Sequence, residues 1–433
     1  MLEGIYRVGM LVGPFAALPA FWASARGRRK LSERFGAWEP PAIGQERPLW
    51  FHGASFGEVN GLLPIIRALG KLEEHLPVLL SATSVTGLDV GGRVAQSIRL
   101  LPFDHPLWIK RALAKVSPRA FIFGETEVWP MLLDELTKRC VPCVLVNGRI
   151  SDRAFPRYMR WKSFLEPRLK RLARICVSGE EARERFMALG AEAHQIVITG
   201  NAKYDLTPAL TDRVAIQLFR EQFFPDDRPV IVLGSLRPGE EQEWFPVLRS
   251  ILEEHPRLGV IVAPRHKERF SFFSEQLAAH RISFRRRSDF TTRNASNESV
   301  ILLDTLGELA SVYSFADAGF VGGTLRDFGG HNPLEPAAHG AAVVLGPYFQ
   351  NAGEVVARLR SERAVFELSD QESLRRLLLL IIGRDPSISE VRARGLEVWK
   401  SMQGATERVV AEIRQAAPSA ILVSGRGIGS TQR

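Results

Sequence analysis

From Pro48 onward the chain alternates short, wholly apolar runs with longer stretches whose apolar residues recur at helical spacing. Such runs, too brief for buried helices and lacking a two-residue alternation, predict strands buried on both faces of a parallel sheet. Those before residue 205 are Pro48–His52, Val78–Ala82, Ala120–Phe123, Val144–Asn147, Ile175–Ser178 and Ile196–Gly200. After a polar, proline-bearing stretch, Asp205–Arg228, the pattern restarts with Val230–Gly234, Gly259–Ala263, Val300–Leu303, Ala318–Val321 and Ala342–Gly346. Strands separated by helical segments specify an α/β chain, here with two Rossmann-like halves. The predicted plan is a domain over residues 36–205, a linker over 206–228, a second domain over 229–386, and a helix over 387–415 that crosses back to the first half. Residues 416–433 read as a tail rich in Gly, Ser and Arg. Its GRGIGS has the letters of a dinucleotide fingerprint without the flanking strand and helix.

Residues 1–35 break the pattern. Val8–Ser24 is almost uncharged, and the basic cluster Arg26, Arg28, Arg29 and Lys30 follows it. A secretory signal has the opposite order. The run is at the short limit for a membrane span, and Pro14 and Pro19 are expected to interrupt it. A membrane anchor that inserts in the bilayer, with its basic cluster at the cytoplasmic face, fits this order. An apolar helix docked on the protein body is the alternative.

Composition narrows the class. A chain of 433 residues exceeds one ordinary core, and 45% apolar with 24% charged residues excludes a mostly disordered protein. A net charge of +9 calls for an anionic partner, either nucleic acid or an anionic lipid surface. Three cysteines carry no disulfide framework. Cys140 and Cys143 form a CxxC, but Pro142 and the run Val144–Val146 make burial at a strand start the better reading.

The candidate chemistry lies at predicted strand ends. Ala316–Glu335 reads ADAGFVGGTLRDFGGHNPLE, in which Gly322 and Gly323 leave room for a ligand beside the backbone. Pro333 suits the first position of a helix capped by Asn332, whose free N–H groups would face an anion, and Glu335 can accept hydrogen bonds from a ribose diol. That combination spells a nucleotide-sugar pocket, although an ordinary glycine-rich turn has the same letters. Arg265 and His266 offer cations to a phosphate, or line a solvated loop; Gly307, Glu308 and Leu309 open another helix. In the first half, Ser55, Phe56, Gly57 and Glu58 follow a strand. Glu58 is either a general base, if burial raises its pKa, or a first-turn acid that complements the helix dipole. Further polar clusters are Glu125, Thr126 and Glu127; Asn147, Gly148 and Arg149; and Asn201–Asp205, which contains Lys203.

Taken in order, these segments resemble the 3-deoxy-D-manno-octulosonic acid (Kdo) transferases of lipid A biosynthesis, from the N-terminal segment to about Gln415. The matches are SxGE at Ser55–Glu58, ETExWP at Glu125–Pro130, NxRxS at Asn147–Ser151 and GNxKxD at Gly200–Asp205. GEE at Gly239–Glu241, PRH at Pro264–His266, GEL at Gly307–Leu309, and FVGG followed by GGHNPLEPA complete the set. The resemblance implies a GT-B fold, with two Rossmann-like domains facing a cleft, and an inverting transfer. Kdo would pass from CMP-Kdo to the tetra-acylated disaccharide bisphosphate precursor of lipid A, at the cytoplasmic side of the inner membrane. It implies Glu58 as catalytic base and Ser235, Arg265, His266, Gly307, Glu308, Leu309, Asn332 and Glu335 as donor-binding positions. Ser55, Gly57, Glu125, Arg149 and Lys203 would lie near the cleft and the acceptor. Departures are Leu236 and Arg237 where Thr and His are usual, Gly148 for Ala, and Leu306 for Met; the Thr and His side chains are lost to the donor site, while Arg237 still offers a cation to an anion. The chain has no DxD acid pair and no P-loop, so a metal-independent reaction without cofactor is expected. Another GT-B nucleotide-sugar enzyme, such as an epimerase, is the alternative. A nucleic-acid partner is not expected, because no reading module is present. The basic and aromatic residues interleaved over Arg149–Phe164 suit either a membrane interface or a surface helix with one buried face.

Overall fold

The computed structural model describes residues 2–23, 30–40, 47–73, 76–92, 95–206, 213–290 and 298–418. Two compact units emerge, one from the chain up to Leu206 together with the chain from Met402, the other from the segment between. The sheet of the first unit comprises β1 (Leu49–His52), β2 (Val78–Ala82), β3 (Ser97–Leu100), β4 (Ala120–Gly124), β5 (Cys143–Gly148), β6 (Arg174–Val177) and β7 (Ile196–Ile198). The second unit holds β8 (Val230–Leu236), β9 (Gly259–Pro264), β10 (Arg285–Arg286), β11 (Val300–Leu302), β12 (Ala318–Val321), β13 (Ala342–Leu345) and β14 (Val365–Glu367). The sheet orders are β3-β2-β1-β4-β5-β6-β7 and β10-β11-β9-β8-β12-β13-β14, and the strand pairings are parallel.

The apolar runs are continuous because both faces of each sheet are covered. Trp50 packs with Phe121 and Leu145 on one face of the first sheet, while its neighbour Phe51 packs with Leu80 and Ile122 on the other. β3, β10 and β14 were not expected from the sequence. All three are edge strands, open on one side, and they carry Arg99, the pair Arg285–Arg286, and Glu367. β1 and β4, and likewise β8 and β12, are adjacent strands whose connections run to opposite sides of the sheet. Such switch points leave a crevice at the carboxyl ends of the strands, where α/β proteins bind ligands.

The helix expected over 387–415 is in fact two, Pro386–Ser401 and Ala405–Ala416. Gly404 separates them in a left-handed conformation (φ +79°) that glycine adopts without strain. The second helix buries Val409 and Ile413 in the cluster of Phe51, within the first unit.

The N-terminal helix, Leu2–Ala23, continues through Pro14 and Pro19 rather than breaking there, as helices of this chain also do at Pro64 and Pro246. Among the described residues no helix is long and apolar enough to cross a membrane. One side of it docks on the first unit. Tyr6 donates a 2.7 Å hydrogen bond to the buried Asp104, Glu3 pairs with Arg168, and Phe15 meets the rings of Phe35 and Trp108. Ile5, Val8, Val12 and Phe15 remain exposed. Arg26, Arg28 and Arg29 of the basic cluster, linker residues 207–212 and the GRGIGS of the tail lie outside the described residues.

In the segment 149–164, Phe155, Tyr158 and Trp161 pack against the core cluster that contains Phe164, while Arg153, Arg157 and Arg160 are exposed. The aromatic residues thus form a partly buried face across two short helices, Phe155–Arg160 and Lys162–Leu169. Cys143 is buried at the start of β5, and Cys140 is exposed.

Candidate active site

Each switch point carries a polar cluster. In the first unit, β1 ends in a turn at Gly53, where any Cβ would lie 2.8 Å from the Val59 nitrogen. Ser55 caps the helix Phe56–Leu72, its Oγ accepting from Glu58 N–H at 3.3 Å and donating to Glu58 Oε1 at 2.9 Å. Ala54 N–H donates to Oε2 at 2.8 Å. Glu58 therefore ties the capping Ser55 and the Ala54 N–H before it to the start of the helix, and each oxygen retains a lone pair for a further donor. Burial raises its pKa against these hydrogen bonds, and Glu125 adds to the rise. Glu125 itself, in a left-handed turn (φ 53°) after β4, pairs with Arg149 at 3.2 Å.

Glu127 joins this cluster although it was not among the predicted site residues. Its carboxyl is pushed up to about 7, first by burial and then by the negative charge of Glu58. Behind it, the Trp129 indole donates to His52 Nε2 at 3.1 Å. His52 is fully buried and held neutral, its pKa depressed to about 3 by burial, with Nδ1 2.9 Å from Ser81 Oγ. The sequence signals for Glu127 were its place in the polar cluster after a strand and in the ETExWP segment, neither of which distinguishes it from Glu125.

Asn147, at the end of β5, is structural. Its amide donates to Gly61 O at 3.2 Å and accepts from Ala202 N–H at 2.9 Å, fastening the helix after β1 to the turn that carries Lys203. The Lys203 side chain is exposed. At Gly57 a Cβ would meet only Ser55 Oγ, at 3.9 Å, so the fold does not require glycine there.

In the second unit, Ser235 adopts a left-handed conformation (φ 55°) and makes a bulge, so that Leu236 pairs with Pro264. That register sets Arg237 beside Arg265 and His266, with Arg237 Nη1 2.9 Å from His266 Nε2 and its guanidinium 4.4 Å above the Phe328 ring. A Cβ on Gly322 would sit 2.1 Å from Ser235 O. This glycine is needed for packing against the protein's own backbone, not for the approach of a ligand. Glu240, wholly buried, accepts from the N–H groups of Arg237, Gly323, Thr324 and Leu325 at 2.9 to 3.0 Å and so holds the glycine loop to the end of β8.

His331 lies in the same cluster. Burial, then Arg265, Arg237 and His266, push its pKa down to about 4, and its Nε2 is buried without a partner. Glu335 is raised by burial and lowered by Arg265. Asn332 Oδ1 accepts from Leu334 N–H at 3.1 Å, as a cap should, but the helix starts at Leu334, not Pro333, and is a single turn, Leu334–Ala338. Leu309 begins another single turn, Leu309–Tyr313, after the open Gly307. Glu308 is engaged by Arg287 at 2.8 to 3.1 Å and by Thr305, so its carboxylate serves its own loop.

Residues 29–206 match the family model described as 3-deoxy-D-manno-octulosonic-acid transferase (kdotransferase). Over 391 residues the chain is 32% identical to the 3-deoxy-D-manno-octulosonic acid transferase of Haemophilus influenzae, covering 89% of this chain and 91% of that protein. The chain belongs to this family. The Kdo transferase of Bordetella pertussis is 30% identical over 433 residues, covering 95% and 98% of the two chains. Among solved structures, the UDP-GlcNAc 2-epimerase of Neisseria meningitidis bound to UDP-GlcNAc superposes with a TM-score of 0.58, covering 86% of this chain and 100% of that one, at 13% identity. That likeness shows the GT-B type of α/β fold alone, whereas the family membership makes this Kdo transferase a glycosyltransferase.

Proposed function

We propose that this Kdo transferase moves Kdo from CMP-Kdo to a hydroxyl of the lipid A precursor, with inversion and with Glu58 as general base. The observation that carries the reading is the capped, partly buried Glu58 at the β1 switch point, its pKa raised within a group of three carboxylates. Glu58 takes the proton of the acceptor hydroxyl as that oxygen attacks the anomeric carbon. The bond from that carbon to the CMP phosphate oxygen breaks, and CMP leaves with the electron pair. Arg265 and His266 meet the phosphate, and Glu335 accepts from the ribose. Arg149 and Lys203, both exposed in the first unit, are cations for a phosphorylated acceptor.

The acceptor's acyl chains place the work at a membrane, on the cytoplasmic side of the inner membrane in this reading. Ile5, Val8, Val12 and Phe15 recur at spacings of three and four along the N-terminal helix and stay exposed while Tyr6 is held by the protein. That pattern favours a helix lying in the interface over one that spans. The test is to offer the protein CMP-Kdo and UDP-N-acetylglucosamine in parallel, each with the lipid A precursor. Release of CMP that depends on the precursor supports the reading; epimerisation of the UDP-sugar with no CMP release overturns it.

A further inference from the structure

The cationic cluster of the second unit is larger than a nucleotide's phosphate requires. A sugar–CMP diester carries one negative charge at its phosphate, yet two guanidinium groups stand at adjacent strand ends. Arg265 N–H bonds to Leu236 O at 3.1 Å, so Arg237 follows directly beside it. Among the described residues no carboxylate pairs with Arg237: the nearby Glu240 spends both oxygens on backbone N–H groups. Instead the Arg237 guanidinium is held by the His266 ring nitrogen and the face of Phe328, and its Nε is buried without a partner. His331 Nε2, in the same cluster, is also buried without a partner. Two orphaned nitrogens beside a fixed, uncompensated cation describe a place for one more acceptor-rich anion.

We infer that Arg237 binds the carboxylate of the donor's sugar, with His331 at its flank, while Arg265 binds the phosphate. The inference rests on the CMP-Kdo reading above. In a 2-ulosonic acid the carboxylate is attached to the anomeric carbon, one bond from the carbon that carries the phosphate oxygen, so the two anions need neighbouring cations. The strand register supplies them. The planar guanidinium, positioned by its stack on Phe328, can meet a carboxylate through two N–H groups at once. Arg237 would then determine specificity for an acidic sugar over a neutral one.

Calorimetry with CMP and with CMP-Kdo tests this on the full-length protein, its Arg237→Leu and Arg237→Lys variants, and Arg265→Ala. Removing a charge-assisted contact costs roughly ten- to a hundredfold in affinity. At least one Arg237 variant should lose that much for CMP-Kdo while holding CMP within about twofold, and the retained CMP binding reports that the unit is folded. Arg265→Ala should weaken both ligands. If both Arg237 variants weaken CMP and CMP-Kdo equally, or neither weakens CMP-Kdo, the assignment of Arg237 is overturned. A wild-type protein that binds neither ligand overturns the donor reading itself, an outcome distinct from a failure of Arg237 alone.

Discussion

At the scale of single residues the site depends on a few carboxylates whose surroundings differ. Glu58 is buried enough for its pKa to rise, so as a base it must lose its proton at a higher pH than a free glutamate. The transfer rate should therefore fall as pH drops through that raised value, and a pH–rate profile of kcat/KM should place its acid limb above about 4.3, the value of a free glutamate. Glu240 plays the opposite part. Its raised pKa follows from burial, but four backbone N–H groups stabilise its charge, and Glu240→Ala leaves them all without an acceptor. At about 1 to 3 kcal/mol for each unsatisfied group, the second unit should lose several kcal/mol, read as a lowered urea midpoint together with weakened CMP binding. Arg265 was legible in the sequence because it follows a strand directly, and Glu58 and Glu335 because each falls in the first turn of a helix after a glycine-bearing turn. Glu127 stood out only as one member of a polar cluster and Arg237 only as a departure that offers a cation, because their roles depend on contacts through space: the Trp129–His52 pair behind one, the Ser235 bulge and Phe328 beneath the other.

At the scale of elements, the interior strands could be read from sequence because burial on both faces writes them as unbroken apolar runs. The edge strands β3, β10 and β14 could not, since one open side admits arginine and glutamate. The N-terminal segment showed in the sequence as an apolar run, but not which side of its helix docks. Its anchor point is Tyr6 on Asp104, whose carboxyl is raised to about 6, by burial above all, against the donors Met131 N–H, Tyr6 O–H and Leu132 N–H. A folded pKa above the unfolded value means that the group's contribution to stability is full at low pH and is lost as pH rises through about 6. Tyr6→Phe removes one donor to the ionised form. Its destabilisation, about 1.5 to 3 kcal/mol, should appear in urea titrations above that pH and shrink below it. If the exposed stripe holds the protein at a membrane as proposed, deleting residues 1–34 should release it to the soluble fraction, and the first unit should lose the Tyr6 contact together with those of Lys30, Glu33 and Arg34. Complete release of the full-length protein by high salt alone would show that surface charge, not the exposed apolar stripe, holds it to the membrane.

At the scale of the whole molecule, each unit has its own sheet and its own core clusters, and the chain visits the first unit twice. Val409 and Ile413 are fully buried in the first unit. Truncation after Ser401 should therefore destabilise that unit and leave the second unit's thermal transition where it was. CMP, in contrast, should raise only the transition of the second unit, by the mass action of a ligand bound to one folded part. The central claim is Kdo transfer with Glu58 as the base. Its most direct test is mass spectrometry of the lipid A precursor after incubation with CMP-Kdo and either the wild-type protein or Glu58→Gln. The account predicts an acceptor heavier by Kdo with the wild type, and an unchanged acceptor with the variant although that variant still binds CMP. Kdo transfer by Glu58→Gln at near wild-type rate, or no Kdo added by the wild type, would contradict it.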